Sequence, residues 1–178
     1  KINMNIKKFF VEDNVCSPYK LILNRTHNYL VSNGYESTED RKEADCIVIG
    51  TCAAFKSLED ETVSFIEKAT KERKKDSQLV IFGCLPGIDG KKVKSYKPDV
   101  VIPAASWERI ELLVDNPVIP LKEIPETSRF RSEKDWRLPD ESKQFILLQT
   151  GCSSNCPFCP HKMGIGNLRS KQLEDILY

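Results

Sequence analysis

Three cysteines lie close together near the end of the sequence, directly after a short apolar run. Cys152, Cys156 and Cys159 form a C-x₃-C-x₂-C pattern in the stretch "LLQTGCSSNCPFCPHKMG". An odd number of thiols cannot close into disulfides among themselves. Four-iron clusters usually take four cysteine thiolates, so three of them would leave one iron open to a ligand from outside the protein. The pattern predicts an iron–sulfur cluster with one open iron.

Zinc is the main alternative for these three thiols. Structural zinc sites take four ligands and favour C-x₂-C pairs with a second pair nearby. The local candidate for a fourth ligand is His161, two residues after Cys159. We interpret His161 more simply as a solvent-facing residue of the loop. A non-catalytic zinc-binding module is therefore kept as an alternative.

Three further cysteines follow three separate predicted strands. Cys16 comes after the first strand, Cys52 ends "CIVIGTC" and Cys84 ends "QLVIFGC". The carboxyl ends of parallel strands meet at one edge of a sheet, where ligands bind. We therefore predict a second metal site that is built from distant residues. Cys46 begins the strand that Cys52 ends, and we interpret it as a packing residue, because buried free cysteine behaves as a small hydrophobic side chain.

Strand and helix patterns alternate between residues 6 and 115. The predicted strands are "IKKFFVED", "DCIVIGTC", "QLVIFGC" and "DVVIPA". The predicted helices are "PYKLILNRTHNYLVSNG", "LEDETVSFIEKATKERKK" and "SWERIELLVD", the last of them capped by Ser106. Strands that are apolar on both faces and separated by helices belong to a parallel sheet with helices on each side. The predicted fold class is α/β, with a flavodoxin-like parallel sheet flanked by helices.

Three regions are predicted along the chain. Residues 1–115 form the α/β domain, and residues 116–143 form a proline-interrupted linker. Residues 144–178 contain a strand, the cysteine loop and the start of a helix. An eight-stranded barrel typically needs about 250 residues, so only the first β-loop-α unit of a truncated, partial TIM-like barrel fits here. Because the chain begins at Lys1 and stops within a helical pattern, we expect a fragment of a larger enzyme that is inactive alone.

Composition narrows the functional classes. The chain has 27 Lys and Arg against 26 Asp and Glu, so net charge alone does not indicate a nucleic-acid partner. No apolar stretch approaches the ~20 residues that span a bilayer, and seven cysteines favour metal or redox chemistry in a reducing compartment. We predict a cytoplasmic protein without a membrane partner. No Ser/His/Asp set or carboxylate pair stands out, so no catalytic side chain is predicted.

A basic and aromatic group occurs in the linker. Its members are Arg129, Phe130, Arg131, Trp136 and Arg137. Such side chains can contact RNA phosphates and bases. A solvated linker that packs its aromatic rings against a domain is the favoured interpretation.

The cysteine pattern near the end of the chain, with Phe158 before its last cysteine, resembles the signature of the radical S-adenosylmethionine (SAM) superfamily. Together with a three-cysteine N-terminal domain it resembles the methylthiotransferase family. The matching stretches are "GYESTEDRKEADCIVIGTCAAF", "VIFGCLPG", "KPDVVIPAASWERI" and "GCSSNCPFCPHKMGIGNLRS". Two positions depart from the family pattern: "NVCSPYK" replaces Gly-Cys-x-x-Asn around Cys16, and Ile165 stands where the family carries an Arg before Gly166.

The resemblance implies an enzyme with two [4Fe-4S] clusters. The cluster on Cys152, Cys156 and Cys159 would bind SAM and generate a 5′-deoxyadenosyl radical that attacks an unreactive C–H bond. Phe158 would pack near the adenine of SAM. The second cluster would carry the sulfur to be methylated and inserted, and its ligands would be Cys16, Cys52 and Cys84.

The resemblance also implies the partners. The substrate would be a modified adenosine beside a tRNA anticodon, with an aspartate of a ribosomal protein as the second possibility. An electron donor such as flavodoxin or ferredoxin would reduce the cluster. An alternative keeps the radical SAM cluster for another reaction type and makes the N-terminal domain a docking or electron-transfer module.

Overall fold

A five-stranded parallel sheet forms the centre of the N-terminal domain. The computed structural model describes residues 7–125 and 146–177. The strands are β1 (Lys8–Asp13), β2 (Glu36–Ser37), β3 (Cys46–Thr51), β4 (Gln78–Gly83) and β5 (Val100–Pro103). Their spatial order is β2-β1-β3-β4-β5, and every neighbouring pair is parallel. This is the strand order of flavodoxin-like folds, so the predicted α/β class is confirmed.

Within residues 7–125, four helices lie between strands of the sheet, and two 3₁₀ segments follow its last strand. They are α1 (Ser17–Ser32), α2 (Lys56–Glu72), α3 (Leu85–Ile88), α4 (Gly90–Ser95) and two 3₁₀ segments, Ala104–Leu113 and Leu121–Glu123. The prediction for α1 is confirmed at both ends, with a proline in its first turn and Gly34 at φ +90° just beyond its last turn. Proline lacks an N–H that the first turn would leave unpaired, and glycine tolerates positive φ.

The two central strands explain why the sheet is buried on both faces. All six residues of β3 and all six of β4 are buried. Successive side chains of a strand point to opposite faces. Val48 and Phe82 therefore join the core under α1, whereas Ile47 and Ile81 join the core under α2. Because both faces of β3 and β4 are covered, their sequences are near-continuous apolar runs.

The last helix of the domain differs from the prediction. Residues Ala104–Leu113 form 3₁₀ turns, and Ser106 lies inside them at a kink with φ −133° and ψ 42°. Ser106 is the non-helical residue where two helical segments meet, so the helical turns start earlier than predicted, and capping of the second segment by Ser106 stays a prediction. Helical turns begin directly after Pro103, whose φ of −60° already suits a helix start. The short helices α3 and α4 were missed, because one proline and two glycines interrupt the periodicity of residues 85–95.

The cysteine loop of residues 152–159 lies within a second, smaller unit. Strand β6 (Gln149–Thr150) pairs antiparallel with β7 (Arg169–Ser170), and between them lies helix α5 (His161–Ile165). Helix α6 (Glu174–Leu177) follows within the predicted helical stretch. The pairing with β7 was not predicted. The basic and aromatic linker group lies outside the described residues, and the barrel unit and domain boundaries stay predictions.

No helix in the described part of the chain is long and apolar enough to cross a membrane.

Candidate metal centre

Cys16, Cys52 and Cys84 lie at the carboxyl edge of the sheet, as predicted. Cys16 is the residue before α1, Cys52 directly follows β3, and Cys84 directly follows β4 and precedes α3. Two of the three, Cys52 and Cys84, are buried, whereas Cys16 is exposed as a whole residue. The topology therefore gathers residues from three separate parts of the sequence.

The three thiols are close enough to influence one another electrostatically. Burial raises the pKa of the Cys84 thiol to about 12, and the neighbouring Cys16 and Cys52 thiols contribute to the rise. Burial, followed by the Cys52 thiol, raises the pKa of the Cys16 thiol as well. Each anion would repel the others, and a shared cation-containing group would relieve this repulsion.

Backbone contacts fix the strand ends that carry Cys52 and Cys84. The Cys84 N–H donates to the Thr51 carbonyl at 3.0 Å, and the Thr51 hydroxyl donates to the Phe82 carbonyl at 2.7 Å. Gly83, at φ +120°, lies so close to Thr51 that any side chain there would collide with the Thr51 backbone. Only glycine combines this φ with this approach. The ends of β3 and β4 are thus held at a fixed spacing.

A threonine hydroxyl holds the loop that follows Cys52. Thr62 Oγ1 accepts the Cys52 N–H at 3.1 Å and donates to the Cys52 carbonyl at 2.9 Å. Asn14 Nδ2 donates to Thr62 Oγ1 at 2.9 Å and to the Leu58 carbonyl at 3.3 Å. Thr62 is fully buried. This network links the ends of β1 and β3 to α2, and the sequence offered no signal for it, because a helical threonine is ordinary.

The other three cysteines form a tight turn at the surface. Cys152 is partly buried, and Cys156 and Cys159 are exposed. The Cys159 N–H donates to the Cys156 carbonyl at 3.2 Å, and the Ser154 N–H approaches Cys152 Sγ at 3.4 Å. The ring of Phe158 is 86% exposed, so it is accessible to a ligand.

The cysteine loop of residues 152–159 is anchored on the same edge of the sheet. Gly164 of α5 lies against Cys84, where an added Cβ would stand 3.0 Å from the Cys84 Cβ. Arg169 pairs with Glu108 at 2.9 Å and donates to the Ala105 carbonyl at 2.8 Å. Gly87 of α3 packs directly on the Met163 backbone. The sequence did not predict these contacts, which bring the two cysteine-bearing regions together.

Comparison with known proteins identifies the family. The profile of Uncharacterized protein family UPF0004 matches residues 8–103, more than half of the chain. The ribosomal protein uS12 methylthiotransferase RimO of Elusimicrobium minutum (strain Pei191) is 30% identical over 160 residues, covering 88% of this chain and 35% of that protein. The tRNA-2-methylthio-N(6)-dimethylallyladenosine synthase of Rickettsia prowazekii (strain Madrid E) is 28% identical over 180 residues, covering 92% of this chain and 40% of that protein.

The chain belongs to the methylthiotransferase family.

A third relative in this family is the ribosomal protein uS12 methylthiotransferase RimO of Chlamydia caviae (strain ATCC VR-813 / DSM 19441 / 03DC25 / GPIC). It is 26% identical over 160 residues, which is 83% of this chain and 33% of that protein. The chain spans between a third and two fifths of the length of these three relatives. The matched region of the family profile contains Cys16, Cys52 and Cys84.

The iron–sulfur clusters of a methylthiotransferase can be tested against these side chains. Within residues 7–125 and 146–177, no group of three or more His, Cys, Asp and Glu side chains is arranged to hold a metal ion. A single ion draws its ligands to one point, whereas in a four-iron cluster each thiolate binds a different iron. The mutual influence of the Cys16, Cys52 and Cys84 thiols, together with a donor set made only of sulfur, fits a cluster.

Cys46 lies apart from this edge. It begins β3, pairs with Phe9 of β1, and is 2% exposed. Burial raises the pKa of its thiol to about 12, with Asp99 and Asp45 contributing. The side chain packs within the core under α1, as the packing interpretation expected.

Replacing Thr62 with Val is expected to lower the free energy of unfolding by about 1–3 kcal/mol, because the buried Cys52 N–H loses its acceptor. Chemical denaturation of the chain measures this change. Thr70→Val is the matched control, since Thr70 lies on the same helix and its hydroxyl donates to the Ile66 carbonyl one turn before. Equal losses in the two variants would contradict a special role for Thr62.

Proposed function

We propose that the chain is the N-terminal part of a radical SAM methylthiotransferase that inserts a methylthio group into an unactivated C–H bond. The observation that carries the proposal is the packing of α5, just after one set of three cysteines, against Cys84 of the other set. Sulfur insertion requires a sulfur source beside the place where the substrate carbon is activated. Two cysteine sets that share one edge of the sheet meet this requirement.

Cys16, Cys52 and Cys84 would hold the first [4Fe-4S] cluster. Cys16 precedes α1, and the N–H groups of Tyr19 and Lys20 bond to its carbonyl. The backbone N–H groups at this helix start offset only part of the rise that burial causes in the pKa of the Cys16 thiol. Because burial and the neighbouring thiols raise the pKa of Cys84 to about 12, its proton would leave only as iron binds. With three ligands from the protein, one iron would accept the sulfur to be transferred.

Cys152, Cys156 and Cys159 would hold the second [4Fe-4S] cluster, with SAM on its open iron. The Ser154 N–H would donate to the Cys152 sulfur, and the exposed Phe158 ring would pack near the adenine. When bound, the clusters and SAM supply the electron relay, the radical and the methylated sulfur. The protein side chains would bind and orient these groups, and an external donor such as flavodoxin or ferredoxin would reduce them.

A modified adenosine in tRNA is the proposed substrate, as in the reaction for which the Rickettsia prowazekii relative is named. A ribosomal protein is the second candidate, and it is favoured by the names of the Elusimicrobium minutum and Chlamydia caviae relatives. Two further alternatives are a radical SAM reaction of another type with a docking or electron-transfer N-terminal domain, and a zinc-binding module.

The full-length protein is expected to add a methylthio group to tRNA that lacks it, in the presence of SAM, sulfide and a reductant. Mass spectrometry of the digested tRNA detects the product. Ribosomal protein uS12 serves as the competing substrate in a parallel reaction. Cys156→Ala is expected to abolish transfer, because it removes a proposed cluster ligand. Cys46→Ala is the matched control, which is expected to retain transfer because Cys46 is not one of the proposed ligands.

Transfer to uS12 alone would replace the tRNA proposal with the protein one. Cleavage of SAM without methylthio transfer to either substrate would favour another radical SAM reaction. Colourless protein containing zinc would favour the non-catalytic module.

A further inference from the structure

Tyr19 stands on the first turn of α1, three residues after Cys16. Its backbone N–H donates to the Cys16 carbonyl at 2.9 Å. The side chain is only 3% exposed, and its ring packs against Phe82 at the end of β4 with 6.1 Å between centroids. Tyr19 therefore lies in the interior, between the strand end that leads to Cys84 and the helix that begins after Cys16.

The hydroxyl of Tyr19 is buried without a hydrogen-bond partner in the part of the chain that the structure describes. Buried polar groups are nearly always paired, so an unpaired one indicates a missing group. Tyr29 gives the contrast within the same helix. It is 0% exposed, and its hydroxyl donates to the Glu111 carbonyl at 3.1 Å.

The neighbours of the Tyr19 side chain identify the missing group by its chemistry. Burial raises the pKa of its phenol, and the largest electrostatic contributions come from the Cys84 and Cys16 thiols. Two charged side chains also influence the pKa of the phenol: Arg169 lowers it and Glu108 raises it. These two residues form the ion pair that anchors β7 on the 3₁₀ segment. The unpaired phenol therefore lies beside two of the three proposed cluster ligands. A cluster bound at this place would offer sulfur as an acceptor.

We propose that the Tyr19 hydroxyl donates a hydrogen bond to a thiolate or sulfide sulfur of the cluster held by Cys16, Cys52 and Cys84, and thereby raises its reduction potential. The inference rests on the proposed function, because it needs a cluster at this site. Hydrogen bonds to the sulfurs of a cluster help to set its potential. The reduced cluster carries more negative charge and accepts the stronger hydrogen bond, so the donor favours reduction.

The test compares Tyr19→Phe with Tyr29→Phe in the chain whose Cys152, Cys156 and Cys159 are replaced by Ala, so that only one cluster can form. Potentiometric titration followed by electron paramagnetic resonance measures the midpoint potential. Tyr19→Phe is expected to lower the one-electron reduction equilibrium constant about tenfold, which corresponds to ~59 mV. Tyr29→Phe is expected to leave the potential unchanged, because its partner is a carbonyl.

Chemical denaturation of the iron-free chain provides a second readout. Tyr19→Phe is expected to leave the midpoint unchanged or to raise it, because an unpaired buried hydroxyl is removed, whereas Tyr29→Phe lowers it. A loss of stability for Tyr19→Phe equal to that for Tyr29→Phe would overturn the inference.

Iron content separates the inference from the proposed function. About four irons per chain with equal potentials in the two variants would overturn the role of Tyr19 and leave the cluster proposal standing. No iron in the parent chain would overturn both.

Discussion

Replacing Cys16, Cys52 and Cys84 together with Ala is expected to halve the iron content of the reconstituted chain, from about eight irons to about four. The three thiols influence one another at the carboxyl edge of the sheet, so removing all of them removes one whole cluster. The measurement is iron and acid-labile sulfide after anaerobic reconstitution. Proton release during reconstitution should fall in parallel, because the Cys84 thiol, with a pKa of about 12, loses its proton only to iron.

Cys46→Ala is the matched control for this experiment. Cys46 is buried in the same strand that leads to Cys52, but it begins that strand. Its replacement is expected to lower stability while leaving about eight irons in place. The complementary variant, without Cys152, Cys156 and Cys159, should retain about four. If the parent chain and the variant without Cys16, Cys52 and Cys84 both contained about four irons, these three cysteines would be packing residues and not cluster ligands.

The sequence was sufficient to predict four of the five strands and the positions of the cysteines that follow them. The edge strand β2, with only two residues, both exposed, was not predicted. Strands buried on both faces have a distinctive apolar run, as β3 and β4 do, with all of their residues buried. Once the strands are parallel, the residues that follow them must share one edge. To predict that Cys52 and Cys84 lie together, it was therefore enough to predict where β3 and β4 end, and the apolar runs of these strands indicate their ends.

The contacts that shape the site could not be predicted in the same way. Thr62 bonds to Cys52 across ten positions, and Gly87 packs on Met163 across a far longer separation. Neither contact has a period or a motif, because each depends on where whole elements pack. The unpaired hydroxyl of Tyr19 is likewise visible only once its surroundings are known. At Ser106 the predicted boundary was late, since helical turns already begin directly after Pro103 and Ser106 lies at the kink between two helical segments.

Replacing Gly87 with Ala is expected to undock α5 from α3 and to lower methylthio transfer by the full-length protein about a hundredfold. A Cβ at this position would overlap the Met163 backbone and approach the Cα of Gly164 at 3.0 Å. Backbone cannot move aside as a flexible side chain can, so the strain costs about 1–3 kcal/mol or separates the two elements. Misplacing reacting groups by about 1 Å is enough for a hundredfold loss of rate.

The design of this variant separates docking from folding and from cluster binding. Alanine is a better helix former than glycine by about 1 kcal/mol, so a loss cannot come from α3 itself. Gly90→Ala is the matched control, because no atom lies within 4 Å of its added Cβ. Both variants should keep about eight irons, since neither replaces a cysteine and the bond from the Gly87 N–H to the Cys84 carbonyl, at 3.0 Å, is also available to alanine. Hydrogen exchange of residues 160–166 should accelerate only in Gly87→Ala. The contradicting result would be a Gly87→Ala protein with fast hydrogen exchange at residues 160–166 and full methylthio transfer. The contact between α5 and α3 would then not be needed to bring the two cysteine sets together.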